Sequence, residues 1–381
     1  MTTDPASSSS SSLPARLERG DRIPELGWIG ARGQPVALTQ SVHAGRLSVL
    51  FVCSSVAAPA AGRALSEVRA LYDRLSALGV QVFAVTSDPV GDIGAWAAGL
   101  GLPFPIVCDA AFGLGRMLGL DPGDTGAADG FALAVVDRNQ RLAEIVNPDG
   151  AGTPAARALA LCEKLSAAMQ PTVVTMQAPV LIVPNVLDPE HCARLVRHWE
   201  TGQRFEGGVA NSEVGRNVPV GRIKVREDVV LPDLGPEAQA LFAAFRRRLF
   251  PEVRKAFNFR ITRAESLRLG CYAADDGGHF TLHRDDTTPY TAHRRFAMSL
   301  NLNTGAYDGG YLCFPEYGAH QYSVDTGGAV VFSCSLLHEA TRITRGRRFV
   351  LLGFFYGEAE QALRDRLAAQ RQKEEAPARS M

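Results

Sequence analysis

The chain has 381 residues, with 40 lysine and arginine residues and 40 aspartate and glutamate residues, so its formal net charge at pH 7 is zero. This balance argues against a nucleic-acid partner and against binding to an anionic membrane surface. The length leaves room for two domains of ordinary size, each with its own core.

The cysteines and the apolar runs bear on where the protein works. The seven cysteines are odd in number and show no C-x-x-C spacing, which argues against a disulfide framework and favours a reducing, cytoplasmic location. Residues 1–16 are rich in serine, so we expect them to be disordered and to form neither a signal peptide nor a membrane anchor. No later apolar run reaches the length of a membrane-spanning helix, and no membrane partner is expected.

Residues 19–169 alternate between strand-like and helix-like segments. Strands are predicted at residues 47–53, 80–86, 131–136 and 142–146, and helices at residues 63–78, 92–100 and 154–169. Strands separated by helices predict an α/β layer architecture for this first domain.

Three sequence features of this first domain resemble the peroxiredoxins, which have the thioredoxin fold. They are Gly20-Asp21-x-x-Pro24, the strand, loop and helix around Phe51, and residues 103–109. The family uses a low-pKa thiolate on a Pro-x-x-x-Thr-x-x-Cys loop, supported by an arginine. Residues 54–61 stand at that loop without a thiol, and Phe131 stands near the position of the arginine. We therefore expect a peroxiredoxin-like domain without peroxidase activity.

The cysteine closest to that loop is Cys53, at the end of an apolar, strand-like run. We predict that it is a buried core residue, like Cys108 and Cys162, because a free cysteine often packs as a small hydrophobic side chain. The alternative is a redox role for Cys53. It would make the protein a thiol peroxidase or redox protein that acts through its first domain.

The remaining chain is predicted to form a linker at residues 170–179, a second domain at residues 180–358 and a C-terminal helix or tail at residues 359–381. Helices are predicted at residues 189–201, where a proline follows an aspartate at the start, and at residues 237–257. Strand-like segments dominate the rest of the domain. This pattern predicts a mainly β, double-stranded β-helix (jelly-roll) domain with supporting helices.

Two histidines and one aspartate of the second domain have the composition of an iron site. Iron(II) in oxygenases that bind a co-substrate and O2 is typically held by two imidazoles and one carboxylate. His283 and Asp285 stand two residues apart, so on an extended chain they share a face, whereas Asp286 points away. His338 follows the apolar, strand-like run 329–332. We predict that His283, Asp285 and His338 are the catalytic, metal-binding residues.

Three other histidines lie close to these ligands in the sequence. His279, four residues before His283, is predicted to lie beside the ligands or in the pocket wall. His293 is followed by Arg294-Arg295, whose charges would disfavour a nearby cation, and His320 lies in a turn-like segment. His293 and His320 are therefore predicted to be exposed.

Arg348 lies ten residues after His338 and begins the strand-like run 349–356. A guanidinium inside a barrel needs a carboxylate partner, and a dicarboxylate such as 2-oxoglutarate would provide one. His283-x-Asp285, His338 and Arg348 together resemble the iron and 2-oxoglutarate motif of the prolyl-4-hydroxylase-like dioxygenases, and the resemblance covers about residues 178–357. It implies Fe(II), O2 and 2-oxoglutarate as cofactor and co-substrates, with Arg348 at the distal carboxylate, and it leaves a role for ascorbate open.

Two further residues are candidates for contacts with the co-substrate. Tyr272 would offer its hydroxyl, and a core tyrosine is the alternative. Asn301 lies on the polar face of the alternating stretch 299–303, a pattern that favours a lined cavity and a contact with the co-substrate or substrate.

Several basic residues lie outside the motif. Exposure to solvent is predicted for Arg345 and Arg347 and for the helix face formed by Arg246, Arg247 and Arg248. Alternating basic residues along one strand-like segment would either meet an anionic substrate or form an exposed basic edge that discourages strand pairing; they are Arg222, Lys224 and Arg226.

The resemblance implies a dioxygenase that hydroxylates an unactivated C–H bond of an amino-acid, peptidyl or related small-molecule substrate and releases succinate and CO2. Two other classes are the thiol peroxidase described above and a non-enzymatic, cupin-like binding protein. A scaffold of the latter kind has no need of a buried carboxylate receptor such as Arg348. The sequence names no particular substrate, and it is compatible with a homo-oligomer.

Overall fold

The computed structural model describes residues 16–120, 130–146, 151–167, 171–206 and 223–375. The chain divides into two compact units, residues 1–172 and 173–381. The disorder predicted for residues 1–15 and the prediction for Arg222 fall outside the described residues. No helix in the described part of the chain is both long and apolar enough to cross a membrane.

The first unit contains a seven-stranded sheet in the order β2-β1-β5-β4-β3-β6-β7. Its strands are β1 (Trp28–Gly30), β2 (Pro35–Val36), β3 (Ser48–Cys53), β4 (Gln81–Thr86), β5 (Ile106–Cys108), β6 (Phe131–Val136) and β7 (Leu142–Val146). The pairs β3–β4 and β4–β5 are parallel, and the other pairs are antiparallel. The helices are α1 (Pro59–Ala70), α2 (Tyr72–Ala77), α3 (Val90–Gly99), α4 (Gly113–Met117) and α5 (Pro154–Ala167).

The central strand β3 is buried on both faces. Val49 and Phe51 belong to one apolar cluster, and Leu50 and Val52 belong to another, as the alternation of side chains along a strand requires. A strand covered on both sides is typical of an α/β layer fold, so the predicted thioredoxin-like class is confirmed. The helix predicted at residues 63–78 is instead two helices that meet at Leu71, which packs against the core.

The second unit consists of two main sheets. Its strands are β8 (Leu181–Val183), β9 (Phe205–Glu206), β10 (Lys224–Val225), β11 (Glu227–Val230), β12 (Arg263–Ala264), β13 (Arg268–Ala273), β14 (His279–His283), β15 (Phe296–Asn301), β16 (Tyr307–Gly309), β17 (Leu312–Cys313), β18 (Gln321–Tyr322), β19 (Ala329–Ser333), β20 (His338–Ala340) and β21 (Ile343–Tyr356). The larger sheet runs β8-β19-β15-β21-β13-β11-β9, with β12 and β16 also paired to β21. The smaller sheet runs β10-β14-β20-β17-β18.

The described part of this unit also contains four α-helices: α6 (Pro189–Thr201), α7 (Pro236–Arg248), α8 (Phe250–Phe257) and α9 (Glu358–Glu375). Helix α6 begins where predicted, because the side chain of Asp188 accepts a hydrogen bond of 2.7 Å from the backbone N–H of His191. The single helix predicted at residues 237–257 is broken at Leu249. Pro251 explains the break, since proline lacks the N–H that would continue the helix.

Helices α6, α7 and α8 pack on the outer face of the larger sheet, where Trp199, Phe245 and Leu351 share one apolar cluster. The inner face turns toward the smaller sheet, as the shared cluster of Phe314 and Phe332 shows. The predicted jelly-roll class is confirmed. The predicted solvated face on α7 is wrong for Arg248, which is buried and donates a hydrogen bond of 3.1 Å to the carbonyl oxygen of Val186.

Candidate metal centre and its cavity

The structure brings three potential metal ligands together between two strands of the smaller sheet. His283 ends β14 and is directly paired with His338, which begins β20. Asp285 lies between them, with Oδ1 at 3.5 Å from Nε2 of His283 and Oδ2 at 3.5 Å from Nε2 of His338. One ligand atom from each of the three residues lies within 4.8 Å of the others. This donor set is the two-histidine, one-carboxylate arrangement of non-haem iron(II) oxygenases.

The other ring nitrogens fix the orientation of both imidazoles. Nδ1 of His283 lies 2.7 Å from the carbonyl oxygen of Thr281, and Nδ1 of His338 lies 2.9 Å from that of Leu336. A proton on each Nδ1 therefore leaves the lone pair of each Nε2 directed at Asp285, as a metal ligand requires. Burial lowers the pKa of His338 despite the charge of Asp285, which favours the neutral, ligating form.

Asp285 is held ionised and in place by its neighbours. Burial alone would raise its pKa, but the imidazoles of His338 and His283 outweigh burial, and the pKa lies below its usual range. Its backbone N–H donates to the carbonyl oxygen of Cys334 at 2.9 Å. The adjacent Asp286 turns away and accepts a hydrogen bond from the hydroxyl of Ser335.

Arg348 reaches the same cavity from the larger sheet, where it is paired with Tyr272 across β21 and β13. It is 3% exposed, and its Nη2 donates to Oγ of Ser299 and Oδ1 of Asn301, both at 2.9 Å. Its Nε is buried and has no hydrogen-bond partner among the described residues. A buried guanidinium with an unused N–H is costly unless a ligand completes it, and a carboxylate fits that geometry.

The two other predicted co-substrate residues have different positions. Tyr272 lines the cavity, and its hydroxyl accepts a hydrogen bond of 3.0 Å from Nη1 of Arg226. Asn301 is buried behind Arg348 and does not line the cavity; its Nδ2 donates to the carbonyl oxygen of Val324 at 3.1 Å. Asn301 therefore acts on Arg348, which it orients.

A buried ion-pair network adjoins Tyr272, and sequence reasoning missed its acidic member, Asp228. Arg226 donates to the two oxygens of Asp228 at 2.5 and 2.8 Å, and Nζ of Lys224 lies 3.2 Å from Oδ2. Asp228 is fully buried and Lys224 is 5% exposed. An exposed basic edge is therefore the wrong interpretation of Lys224 and Arg226. The sequence does contain a signal for Asp228, because this residue continues the period-two spacing of Arg222, Lys224 and Arg226.

The electrostatics of this network favour the ionised form of Asp228 and disfavour the charged form of Lys224. Burial lowers the pKa of Lys224 to about 8, with the charge of Arg226 acting in the same direction. Burial would raise the pKa of Asp228, but the charges and hydrogen bonds of Arg226 and Lys224 hold it below its usual range. Gly270 lies opposite Asp228 on β13, and a Cβ there would stand 2.9 Å from Cδ of Arg226. The missing side chain of Gly270 therefore leaves the space that Arg226 occupies.

The cavity lined by these residues has a largely apolar wall. The apolar side chains include Phe280, Leu312, Phe332, Leu352 and Phe354. Phe280 stacks on the ring of His283 with centroids 3.6 Å apart. Phe280, and not His279 as predicted, therefore forms the wall beside this ligand, because the register of β14 shifts between Phe280 and His283.

The prediction of exposure is wrong for His293 and confirmed for His320. His293 is 2% exposed, and its Nε2 lies 3.0 Å from Oε1 of Glu265. Glu265 also accepts two hydrogen bonds of 2.7 Å from Arg294. The negative charge of Glu265 offsets the positive charges of Arg294 and Arg295, from which the exposure of His293 was predicted. As predicted, Arg345 and Arg347 are exposed.

The first unit carries no reactive thiol among its described residues. Cys53 is fully buried, and burial, followed by the charge of Asp88, raises its pKa to about 12. Oδ2 of Asp88 accepts hydrogen bonds from the backbone N–H of Val56 at 2.8 Å and the hydroxyl of Thr86 at 2.9 Å. A carboxylate thus takes up donors beside the loop in which peroxiredoxins stabilise a thiolate.

Comparison with known proteins follows the same division of the chain. Residues 19–145 match the AhpC/TSA family, and residues 267–356 match the 2OG-Fe(II) oxygenase superfamily. A PKHD-type hydroxylase from Cupriavidus metallidurans is 27% identical over 194 residues, which are 46% of this chain and 77% of that protein.

Two solved structures are also similar to parts of the chain. A prolyl hydroxylase from Trichoplax adhaerens, in complex with a hypoxia inducible factor peptide fragment, aligns with a TM-score of 0.40 and 18% identity over 49% of this chain and 87% of that chain. The bacterioferritin comigratory protein of Xanthomonas campestris aligns with a TM-score of 0.32 and 17% identity over 38% of this chain and 99% of that chain.

The chain therefore joins an AhpC/TSA-family domain to a 2OG-Fe(II) oxygenase domain. Both resemblances inferred from sequence motifs are confirmed. The second domain is that of a dioxygenase, and a hydroxylase is among its relatives.

Proposed function

We propose that the protein is an iron(II)- and 2-oxoglutarate-dependent hydroxylase. The substrate is an amino-acid, peptidyl or related small molecule, oxidised at an unactivated C–H bond with release of succinate and CO2. The observation that carries the proposal is that the three potential ligands and the incompletely bonded guanidinium of Arg348 open into one cavity. The cavity thus offers ligands for a metal and a guanidinium for a dicarboxylate, the two separate requirements of this chemistry.

In the proposed reaction His283, Asp285 and His338 hold iron(II), which when bound supplies the activation of O2 and the oxidation of 2-oxoglutarate. Arg348 binds the distal carboxylate of 2-oxoglutarate, and Ser299 and Asn301 orient its guanidinium beforehand.

Tyr272 and the cavity wall support the same binding event. The hydroxyl of Tyr272 accepts from Arg226, so its own proton is directed elsewhere and is available to a carboxylate held by Arg348. The apolar walls around Phe332 and Phe354 exclude water from the reacting groups. The buried, high-pKa thiol of Cys53 argues against the alternative of peroxidase chemistry.

Formation of succinate tests the proposal. The full chain is incubated with Fe(II), O2 and 2-oxoglutarate, with and without ascorbate, and succinate is followed by NMR spectroscopy. We expect iron-dependent succinate formation that His283→Ala abolishes and that His320→Ala, a change at an exposed histidine, leaves intact. Succinate formation that does not depend on iron or on His283 would contradict the proposal.

A further inference from the structure

A second guanidinium in the cavity has an Nε without a hydrogen-bond partner among the described residues. Arg268 lies on β13, four residues before Tyr272, and its side chain lines the same cavity as the potential metal ligands. Its Nε is buried without a hydrogen bond, and no ion pair joins Arg268 to another described residue. Arg268 therefore shares with Arg348 the property of a cation that faces the cavity with an unused donor.

Neither nearby acidic side chain forms an ion pair with Arg268, although the charge of Arg268 helps to lower the pKa of Glu265. Asp228 is bound by Arg226 and Lys224. Glu265, three residues upstream, accepts both of its short hydrogen bonds from Arg294. Arg268 is half-buried, and an anion from outside the chain would satisfy its unused, buried Nε donor.

The iron and the co-substrate do not supply that anion. If the proposed function holds, the charges of iron(II) and Arg348 offset those of Asp285 and of the two carboxylates of 2-oxoglutarate. The formal charges of iron(II), Arg348, Asp285 and 2-oxoglutarate therefore sum to zero. Arg226 and Lys224 are associated with Asp228, so Arg268 remains as a cation that neither set neutralises.

Arg268 also stands apart from the expected position of the co-substrate. In the β13–β21 ladder Tyr272 is opposite Arg348, whereas Arg268 is opposite Leu352. Four residues along a strand separate the two backbone positions by roughly 13 Å. Ser266, two residues before Arg268, lines the cavity beside it and adds a hydroxyl. The cavity thus has two polar ends, with largely apolar wall between them.

We propose that Arg268 binds a carboxylate of the primary substrate, so that the substrate is a small molecule with a free carboxylate, such as a free amino acid, and not an interior residue of a polypeptide. The inference rests on the proposed function and narrows its substrate class. A single planar guanidinium matches a carboxylate, which accepts two parallel N–H bonds. A concave, largely apolar wall with a few polar groups is typical of a small-molecule site.

Binding of matched acids and amides tests this assignment. The twenty free L-amino acids and their carboxamides are titrated into the full-length protein in the presence of 2-oxoglutarate, and binding is measured by isothermal titration calorimetry. We expect at least one free acid to bind about 10- to 150-fold more tightly than its carboxamide, which is the range for a charge-assisted hydrogen bond. Arg268→Gln should remove that preference, and Arg268→Lys should restore part of it.

A matched control and a second measurement keep the test decisive. Arg263→Gln changes an exposed arginine that pairs with Glu358 outside the cavity, and it should keep the preference. In turnover assays the preferred acid should raise 2-oxoglutarate consumption by the wild type, with a higher KM for that acid in Arg268→Gln.

Several results would overturn the inference. They are equal binding of acids and carboxamides, stimulation of turnover only by end-blocked peptides, and an increase in the KM for 2-oxoglutarate in Arg268→Gln as large as in Arg348→Gln. Binding of no free acid by a protein that does turn over 2-oxoglutarate also rejects the inference and leaves the proposed function standing. A wild type without iron-dependent turnover would reject the proposed function itself.

Discussion

Arg348 and Tyr272 face each other across β21 and β13, and the guanidinium carbon of Arg348 lies 5.6 Å from the centre of the Tyr272 ring. Arg226 lies on the other side, 5.4 Å from the same ring. The aromatic ring therefore stands between two like charges and attracts both. This arrangement keeps Arg226 with Asp228 while Arg348 remains directed at the cavity.

We predict that Arg348→Gln weakens 2-oxoglutarate binding. Loss of a charge-assisted hydrogen bond costs about 1.5–3 kcal/mol, so the KM for 2-oxoglutarate should rise about 10- to 150-fold. Arg347→Gln is the control, because Arg347 is adjacent in sequence but exposed. An unchanged KM in Arg348→Gln, or an equal rise in Arg347→Gln, would assign the carboxylate to another residue.

We predict that His283→Ala and His338→Ala each lose iron and activity together. Both imidazoles direct Nε2 at Asp285, so removal of either leaves two ligands. Iron content is measured by plasma mass spectrometry after anaerobic reconstitution, with His320→Ala as the matched control. Stoichiometric iron in either ligand variant would refute the assignment of that residue.

We predict that Asp228→Asn destabilises the second unit far more than Asp308→Asn. Removal of the charge of Asp228 leaves Arg226 and Lys224 buried without their shared partner, which costs about 3–5 kcal/mol. Asp308 pairs with Arg345 at the surface, where water screens the pair, so its substitution should change little. Chemical denaturation followed by the fluorescence of Trp199, in a background without the two other tryptophans, reports on this unit.

The pH dependence of stability gives a second test of the role of Asp228. The pKa of Asp228 is below its ordinary value of 3.8 in the folded protein, so its stabilising contribution is present above 3.8 and is lost as the pH falls through the folded pKa. The stability difference between wild type and Asp228→Asn should therefore narrow in acid. A difference that is absent at neutral pH would contradict a structural role for this network.

We predict that Cys53 is inert toward thiol reagents in the native protein. Its pKa of about 12 and its complete burial keep it protonated and inaccessible, whereas Cys313 is only partly buried. Alkylation with iodoacetamide at pH 8, read by peptide mass spectrometry, should label Cys313 first and Cys53 only after addition of denaturant. Rapid native labelling of Cys53, or loss of oxygenase activity in Cys53→Ser, would revive the redox alternative.

We predict that a chain beginning at Pro171 folds and binds iron. All proposed ligands and Arg348 belong to the second unit, which starts at residue 173. The measurement is iron stoichiometry together with 2-oxoglutarate turnover in the absence of substrate. A soluble, folded fragment that binds no iron would show that the first unit is required for the metal site.

Local patterns in the sequence predicted the elements and the three potential ligands, because strand periodicity sets which side chains share a face. Local patterns did not predict contacts between side chains that lie far apart in the sequence. The adjacent Arg294-Arg295 predicted an exposed His293, but the fold brings Glu265 from 28 residues upstream to its ring. Arg268 belongs to no sequence motif, and only the folded structure shows that it lines the cavity. Pro251 is a local signal of the helix break that the prediction of one helix at residues 237–257 does not include.

The absence of a side chain at Gly270 constrains which substitutions this interior can accept in evolution. A methyl group there would stand 2.9 Å from Cδ of Arg226 and 3.1 Å from Oδ1 of Asp228. Strand β13 is paired on both sides, with β11 and with β21, so the backbone cannot withdraw without loss of ladder hydrogen bonds. A lineage that acquires a larger residue at position 270 must therefore also replace Arg226 or Asp228. We expect positions 226, 228 and 270 to covary, because a larger residue at position 270 excludes the charged pair at positions 226 and 228.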